Sequence, residues 1–244
     1  MLCETQKTKT EVVMIRHAQS EWNRAGLFTG WADSALTPAG CREALMAAEA
    51  LMASGFTFSH AFSSRLKRAH QTAEIILHEM GNQALPIIED WRLNERHYGA
   101  LQGQKKIDMA AQVGEKQVWR WRRGYLDNPP LMDSDNPAHP RNQSQWSDLD
   151  PGSLPSGESL AGVRERVMAF WHEEVSPKLS AGRPLLIASH GNTLRALLMA
   201  LGNMTVHEIE GFGIPTGTPI VYSFSEQGMP IGWRYLSDTE TKAA

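Results

Sequence analysis

Two histidines follow apolar segments that have the composition of buried β-strands. The letters VVMI lead directly into Arg16 and His17, and the letters LLIAS lead into His190, which Gly191 and Asn192 follow. Ligands bind at the carboxyl ends of strands in an open α/β sheet, so the two histidines could meet at one sheet edge. The N–H groups at a helix start favour an anion. The pattern predicts a site for an anionic ligand, although a single strand-end histidine is more often structural.

Four arginines could add positive charge to such a site. Arg16 precedes the first histidine, Arg68 belongs to the segment SSRLKRA, and Arg122 and Arg123 are adjacent in the segment WRWRR. A guanidinium group is a planar fork that donates two hydrogen bonds to one phosphate or carboxylate. Each of these arginines alone is more simply a solvated surface residue, but together they predict a clamp for more than one phosphate.

Glu95 could supply a carboxylate to the same chemistry. It lies in the segment RLNERHYG, soon after the strand-like letters LPIIED, and Arg92, Arg96 and His97 surround it. A glutamate among arginines most often forms a structural ion pair. The alternative is general acid–base catalysis at the same sheet edge, for which a carboxylate needs a pKa nearer neutrality. Both interpretations stay open on the residues alone.

Strand-like and helix-like segments alternate along most of the chain. Thr37 and Pro38 form a good helix start, after which apolar residues recur at helical spacing until Gly55. The segment PIVYSFSEQGMPIGWRYL predicts a hairpin that turns near Gln227 and Gly228. Strands that alternate with helices indicate an α/β fold, here a three-layer α/β/α sandwich with a mostly parallel central sheet and an antiparallel edge.

Other segments have less regular patterns. Residues 56–64 alternate like a strand, and residues 103–123 are helical but poorly amphipathic. Residues 124–156 contain six prolines and many polar residues, so we expect a long functional loop there that acts as a lid over the site. No internal repeat or linker divides the chain, and we expect one domain over residues 1–244 with its core in residues 11–236.

The composition excludes several classes of protein. The chain has 244 residues, of which 41% are hydrophobic and 21% charged, and its net charge is −3. This balance gives no general attraction to nucleic acid or to an anionic membrane. The two cysteines are too few for a disulfide framework or a structural zinc site. The polar N-terminus has no signal-peptide core, and no apolar run approaches the roughly 20 residues of a membrane span. We expect a cytoplasmic protein without nucleic-acid or membrane partners.

Seven segments, in order, resemble the signature segments of the 2,3-bisphosphoglycerate-dependent phosphoglycerate mutases, a family of the histidine phosphatase superfamily. They are RHAQSEWN, FTGW, SSRLKRA, WRLNERHYGALQG, WRRGY, SHGNTLRAL and IPTGTPIVY. The resemblance extends over residues 12–235. The pair RH occurs throughout the superfamily, whereas ERHYGALQG together with IPTG is specific to the mutase branch.

The resemblance implies an α/β sandwich without a metal, which interconverts 3-phosphoglycerate and 2-phosphoglycerate in glycolysis and gluconeogenesis after priming by 2,3-bisphosphoglycerate. It also implies a homo-oligomer, a dimer or larger. By position, His17 resembles the nucleophile that becomes phosphohistidine, and Glu95 the group that moves the substrate's hydroxyl proton. Arg16, Arg68 and a protonated His190 would stabilise the phosphoryl group in transit. The positions that would bind substrate are Asn23, Thr29, Gly30, Arg96, His97, Tyr98, Lys106, Arg122, Arg123, Gly191 and Asn192.

The chain departs from the family in a few places. Ala18 and Gln19 stand where the family has Gly-Glu, and the tail after Leu236 is short. A Cβ is poorly tolerated at positive φ, so we predict a negative φ for Ala18. One alternative function is a phosphatase of the same superfamily with broader substrates, which would not need ERHYGALQG or the arginine pair. A non-catalytic binding protein is the other, but both histidines are retained.

Overall fold

The computed structural model describes residues 8–238 and 241–243, and one mixed sheet forms the centre of this part of the chain. Its seven strands lie in the order β3-β2-β4-β1-β5-β6-β7. The strands are β1 (Thr8–Arg16), β2 (His60–Ser63), β3 (Ile87–Glu89), β4 (Leu185–Ser189), β5 (Pro219–Ser225), β6 (Pro230–Tyr235) and β7 (Lys242–Ala243).

The two halves of the sheet differ in strand direction. β3, β2, β4 and β1 pair in parallel, which brings their carboxyl ends to one edge. β5 pairs antiparallel with β1, and β6 and β7 continue the antiparallel half. The prediction of a mostly parallel centre with an antiparallel edge is therefore confirmed.

Eight α-helices lie within the described residues, and shorter helical turns connect several elements. The α-helices are α1 (Glu21–Arg24), α2 (Pro38–Ala53), α3 (Lys67–Glu79), α4 (Lys106–Val113), α5 (Glu115–Arg123), α6 (Leu160–Phe170), α7 (Gly191–Leu201) and α8 (Val206–Gly211). Turns of 3₁₀ helix span Trp91–Leu93, Gly99–Leu101, Pro140–Asn142, Ser144–Trp146, Pro151–Ser153 and Ser176–Ala181, and a π turn spans Trp171–Val175. None of the helices in the described ranges is long and apolar enough to cross a membrane.

Apolar residues on both faces of the sheet make the three-layer arrangement. Val12 and Met14 on β1 belong to a core cluster that includes α6 and α7, whereas Val13 and Ile15 belong to a second cluster with α2 and α3. All four side chains are fully buried. Because side chains alternate along a strand, β1 stabilises both layers at once, and each buried Val or Ile contributes roughly 1.5–3 kcal/mol. The predicted α/β/α sandwich is confirmed.

Local signals in the sequence fix several element ends. The Oγ1 of Thr37 accepts a hydrogen bond from the backbone N–H of Gly40 at 2.9 Å, so Thr37 caps α2 as predicted. The helix ends before Gly55, whose φ of 75° suits a residue without a Cβ. The predicted hairpin is also present, since β5 and β6 are joined by a turn in which Gly228 has a φ of 73°.

Three predicted elements differ in extent from the observed ones. The strand predicted over residues 56–64 is limited to β2, because only that part pairs with β4 and β3. The helical region of residues 103–123 is two helices, divided at Gly114 with a φ of 88°. The long helix after residue 159 changes from α-helix to the π turn at Trp171 and then to 3₁₀ helix.

Residues 124–156 contain little regular structure, as predicted, but buried side chains fix them to the sandwich. Trp146 is only 2% exposed, and its ring lies 4.9 Å from that of Trp31 between centroids. The Arg65 side chain forms an ion pair with Asp148 at 2.9 Å and stacks over Trp146. An apolar anchor of this kind stabilises a loop far more than its exposed ion pair does.

We predict that Trp146→Ala lowers the free energy of unfolding by about 3–5 kcal/mol, because it leaves a cavity against Trp31. The measurement is urea-induced unfolding. Trp119→Ala is a matched control, since Trp119 is 47% exposed and its loss should change the free energy by less than about 0.5 kcal/mol. Equal losses in the two variants would show that Trp146 does not anchor the segment.

Candidate active site

His17 lies at the carboxyl end of β1 and lines a cavity. Its Nδ1 is 2.7 Å from the carbonyl oxygen of Ala18, and its Nε2 lies 3.3 Å from the Nε of Arg68, which donates to it. A carbonyl oxygen can only accept, so Nδ1 carries the ring proton and Nε2 carries the lone pair. The ring is therefore in the tautomer that a nucleophilic Nε2 requires.

The charge state of His17 follows from its surroundings. Burial, together with the positive charges of Arg68 and Arg16, lowers the pKa of His17 well below its usual range. The imidazole is therefore neutral at neutral pH, and it needs no deprotonation before it attacks an electrophile.

His190 lies beside His17 because β1 and β4 are paired in parallel. The register places Arg16 opposite Ser189, and the next residue on each strand is a histidine. The two rings are 4.9 Å apart between centroids, and the His190 Nε2 lies 2.6 Å from the Oγ of Ser64. Burial and the nearby cations lower the pKa of His190 well below its usual range. The ring is therefore neutral in this structure, and the protonated His190 expected beside a phosphoryl group in transit stays a prediction.

Two arginines are fixed beside the histidines by backbone carbonyl groups. Arg68 is 1% exposed and donates to the carbonyl oxygens of Ala32 at 2.9 Å and Gly30 at 2.7 Å. Arg16 donates through Nη1 to Ile214 at 2.6 Å, while its buried Nε has no hydrogen-bond partner in the described structure. Neither guanidinium forms an ion pair with a carboxylate within the described residues. Their charges are therefore available to an anion in the cavity.

The cavity has a volume of about 400 Å³ and a strongly cationic wall. Its charged lining residues are Arg16, Arg68, Lys106, Arg122, Arg123 and Arg195, against the single carboxylate of Glu95. The remaining lining residues are His17, Asn23, Leu27, Thr29, Gly30, Tyr98, Gly191, Asn192, Gly213, Ile214 and Pro215. Burial and the neighbouring arginines lower the pKa of Lys106 to about 8, so it still carries most of its charge at pH 7. Such a wall fits a small ligand with several negative charges.

A metal site would require several His, Cys, Asp or Glu side chains close together. Within residues 8–238 and 241–243, no group of three or more His, Cys, Asp or Glu side chains is arranged to bind a metal ion.

Glu95 faces the cavity, and backbone groups hold its carboxylate. Its Oε1 accepts hydrogen bonds from the backbone N–H of Arg96 at 2.8 Å and of Asn192 at 3.2 Å. Arg92 instead forms ion pairs with other carboxylates, and the guanidinium of Arg96 is directed elsewhere. The ion-pair interpretation of Glu95 does not match these contacts. The acid–base interpretation is compatible with its place in the cavity wall.

The structure does not bring the side chains of Arg96 and His97 to the cavity. Both are completely buried. The Arg96 guanidinium donates to the backbone carbonyls of Gly124, Asp127 and Glu158. The His97 ring packs edge-on against Trp31, with 5.8 Å between centroids. We therefore omit these two residues from the substrate-binding set, because their contacts hold the loop behind the site. The other predicted binding residues all lie in the cavity wall.

Sequence reasoning missed Arg195, Leu27 and the stretch Gly213–Pro215 as parts of the cavity wall. Arg195 had a usable signal: it lies three residues after Asn192 on α7, so both share one face of the helix near its start. Ile214 and Pro215 belong to the segment IPTG, whose chemistry is carried by a backbone carbonyl rather than by a side chain.

The departure at Ala18 is structurally mild. Ala18 is fully buried, and its backbone N–H donates to the Oγ1 of Thr72 at 3.1 Å. Asn203 is the one non-glycine residue with positive φ in the described part of the chain, which confirms the predicted negative φ of Ala18. The adjacent Gln19 donates its backbone N–H to Glu43 at 2.9 Å and does not line the cavity.

Neither the long loop nor the described part of the tail covers the site. No residue of 124–156 or of 241–243 lines the cavity. The tail instead pairs with β6 as β7, and the Nζ of Lys242 lies 4.6 Å from the Trp233 ring centroid. Nothing in this packing supports the expected lid, and we do not propose one.

The chain matches a sequence model of the histidine phosphatase superfamily (branch 1) over residues 12–136 and 131–234. It is also similar to curated 2,3-bisphosphoglycerate-dependent phosphoglycerate mutases of Nitratidesulfovibrio vulgaris. The protein of strain DSM 19637 / Miyazaki F is 45% identical over 227 residues, which cover 93% of this chain and 91% of that protein. The protein of strain DP4 is 44% identical with the same coverage. The chain therefore belongs to the histidine phosphatase superfamily and, within it, to the 2,3-bisphosphoglycerate-dependent phosphoglycerate mutases.

Solved structures share the fold at lower sequence identity. A mycobacterial protein described as hydrolase 1 has a TM-score of 0.70 and 24% identity, with coverage of 96% of this chain and 99% of that chain. A mycobacterial glucosyl-3-phosphoglycerate phosphatase has a TM-score of 0.68 and 24% identity, with the same coverage. An alpha-ribazole phosphatase from Shigella flexneri has a TM-score of 0.65 and 22% identity, again with coverage of 96% and 99%. These similarities confirm the fold alone.

The buried neutral histidines predict that stability falls in acid. Burial lowers the pKa of His97 to about 4, whereas in the unfolded chain a histidine has a pKa of about 6.5. Between these values the unfolded state binds a proton that the folded state does not. The stabilising contribution of the neutral His97 to the folded state is therefore fully present above about pH 6.5. As the pH falls towards 4, the free energy of unfolding decreases by about 1.4 kcal/mol per pH unit.

The test compares urea unfolding at several pH values in the wild type and in His97→Asn, whose amide oxygen can replace Nδ1 as the acceptor for Gly99. The variant should show a shallower loss of stability below pH 6.5. His207→Asn is the control, because His207 is exposed. An unchanged slope in His97→Asn would contradict the prediction.

Proposed function

We propose that the chain interconverts 3-phosphoglycerate and 2-phosphoglycerate through a phosphohistidine at His17, primed by 2,3-bisphosphoglycerate, in glycolysis and gluconeogenesis. The observation that carries the proposal is the cavity itself. A neutral histidine, whose unprotonated Nε2 accepts a hydrogen bond from Arg68, lies in a wall that holds six cationic side chains and one carboxylate. This excess of positive charge fits a substrate with two phosphates, or with a phosphate and a carboxylate.

The proposed first step takes place at His17. Nε2 attacks the phosphorus, the N–P bond forms, and the bond from phosphorus to the substrate oxygen breaks. The Nδ1 proton stays on the ring, where the Ala18 carbonyl stabilises the positive charge that develops. Arg16 and Arg68 are held beside His17 by backbone carbonyls, so they would stabilise the charge of a phosphoryl group in transit with little reorganisation.

Glu95 is the proposed proton carrier. When His17 takes a phosphoryl group, the departing oxygen needs a proton. When His17 returns it, the attacking hydroxyl must lose one. Glu95 is the one carboxylate in the cavity wall, and the backbone N–H groups of Arg96 and Asn192 fix its Oε1. A single carboxylate can therefore serve both directions of transfer.

The remaining cations are the proposed anchor for the rest of the substrate. Lys106, Arg122 and Arg123 lie in the cavity wall in addition to the arginines beside His17. Arg123 is oriented by its hydrogen bond to the carbonyl of Phe212 at 2.9 Å. A plain phosphomonoesterase needs only the group near His17, so the additional cations favour a substrate with a second anionic group.

The proposal is tested by conversion of 3-phosphoglycerate to 2-phosphoglycerate with and without added 2,3-bisphosphoglycerate. The wild type should be strongly activated by the bisphosphate, and the bisphosphate should label it covalently in an acid-labile manner. His17→Ala should lose both turnover and label, because it removes the Nε2 that is the proposed attacking atom. Labelling that persists in His17→Ala would contradict the assignment, and hydrolysis without isomerisation by the wild type would favour a phosphatase.

Glu95→Gln should slow phosphorylation of His17 by about 10²- to 10⁴-fold, since glutamine keeps the acceptor oxygen but cannot transfer a proton. Rapid-quench labelling measures this rate. Calorimetry with the bisphosphate should show an affinity within about threefold of the wild type, because the loss of the negative charge of Glu95 does not weaken the binding of an anion. Glu173→Gln is the control, since Glu173 is exposed and pairs with Arg92. A near-normal rate in Glu95→Gln would show that Glu95 is structural.

A further inference from the structure

Arg195 is a buried arginine in the cavity wall to which neither the sequence nor the proposed chemistry gives a role. It is 2% exposed and lies on α7, one turn after Asn192. Its Nη1 donates to the Oδ1 of Asn192 at 2.8 Å, and its Nε donates to the carbonyl of Ile209 at 3.1 Å. Its Nη2 donates to the carbonyl of Arg123 at 3.1 Å and also to that of Ile209. One guanidinium therefore connects α7 with α8 and with the end of α5.

The contact with Asn192 decides which way its amide faces. An arginine has only donors, so the group that meets Nη1 must be the amide oxygen. The amide nitrogen then faces the opposite side, where it donates to the hydroxyl of Tyr98 at 3.1 Å. Without the guanidinium, either orientation of the amide would be open, and in the reversed one the oxygen would accept from the tyrosine.

The orientation of the amide in turn sets the direction of the Tyr98 hydroxyl. When the phenol oxygen accepts from Asn192, its own proton remains free for another acceptor. Tyr98 lines the cavity, and an anion bound there is such an acceptor. With the amide reversed, the hydroxyl would donate its proton to Asn192 instead. Arg195 thus determines whether two neutral side chains present N–H and O–H donors to an anion.

We propose that Arg195 is a positioning residue for the substrate: it fixes the Asn192 amide so that one N–H donates to Tyr98, while the second N–H and the Tyr98 hydroxyl donate to the anionic group of the substrate that is not being transferred. The inference rests on the proposed function, because it concerns how the same cavity recognises a phosphate or carboxylate away from His17. Arg195 acts through Asn192, because each of its observed hydrogen bonds goes to a protein acceptor.

The experiment measures steady-state kinetics of 3-phosphoglycerate conversion in Arg195→Met and Arg195→Lys. Loss of oriented donors should raise KM for 3-phosphoglycerate by about 10- to 100-fold, with kcat within about threefold of the wild type, because His17 and its arginines are unchanged. Lysine keeps the positive charge but lacks the fork that reaches several acceptors, so Arg195→Lys should also raise KM by at least about threefold.

A double-mutant cycle separates this role from general support of the fold. In an Asn192→Ala background the amide is already absent, so adding Arg195→Met should raise KM by less than about twofold more. Arg234→Met is the matched control, because Arg234, like Arg195, donates to several backbone carbonyls, but within the described residues it forms no hydrogen bond with a cavity side chain and does not line the cavity. Its KM should equal that of the wild type.

Two outcomes would overturn the proposal. The first is a KM in Arg195→Lys equal to that of the wild type. This result would contradict the proposal even if Arg195→Met does not fold. The second is a double variant whose KM reflects the full product of the two single effects. Failure of the proposed function is distinguishable, since it appears as absent mutase turnover in the wild type. In that case the affinity for 2,3-bisphosphoglycerate, measured by calorimetry in the same variants, tests whether Arg195 positions the donors that bind an anion.

Discussion

The parallel pairing of β1 with β4 is the interaction on which the site depends. It places Arg16 opposite Ser189, so the histidine that follows each strand lies beside the other. Both strands are buried on both faces, which specifies their register strongly, because a shift by one residue would exchange the side chains between the two core layers. The same apolar contacts that stabilise the sandwich thus hold His17 and His190 together, and no direct hydrogen bond between the rings is needed.

The second constraint is the concentration of positive charge in a buried place. Burial of a cation without a counter-ion is costly, and the chain limits this cost with backbone carbonyls. Arg68 and Arg195 are each surrounded by carbonyl oxygens, which satisfy their N–H groups without cancelling their charge. A carboxylate in the same position would satisfy the N–H groups and also neutralise the charge. The use of carbonyls therefore keeps the cavity attractive to an anion.

This arrangement also explains why the histidines can be neutral. The arginines beside His17 and His190 repel a further positive charge, and burial acts in the same direction, so the pKa of each histidine is lowered. A dianionic phosphoryl group would reverse that local field. The Nε2 of His17, the proposed nucleophile, is therefore unprotonated in this structure, and a bound dianion would favour the charged form of either ring.

Local patterns allowed prediction of the strands and of the Thr37 cap, because each depends on residues adjacent in sequence, and the resemblance to a known family supplied most of the cavity wall. What could not be predicted depends on contacts between distant segments. Arg96 looks like a ligand residue beside Glu95, yet its guanidinium turns to the loop at Gly124 and Asp127. The same holds for the expected lid, since Trp146 packs into a pocket at Trp31 that only the folded chain forms.

Arg195 lies in the cavity wall, although the sequence patterns did not predict it there. Its spacing of three residues from Asn192 places it on the same face of α7, but its role depends on acceptors on α8, on the end of α5 and on Asn192, which the sequence does not show. Residues that touch a substrate tend to lie in recognisable motifs, whereas residues that orient them act through such long-range contacts. Asn192 belongs to a recognisable motif, whereas the role of Arg195 follows from its hydrogen bonds, to which the helical spacing from Asn192 only points.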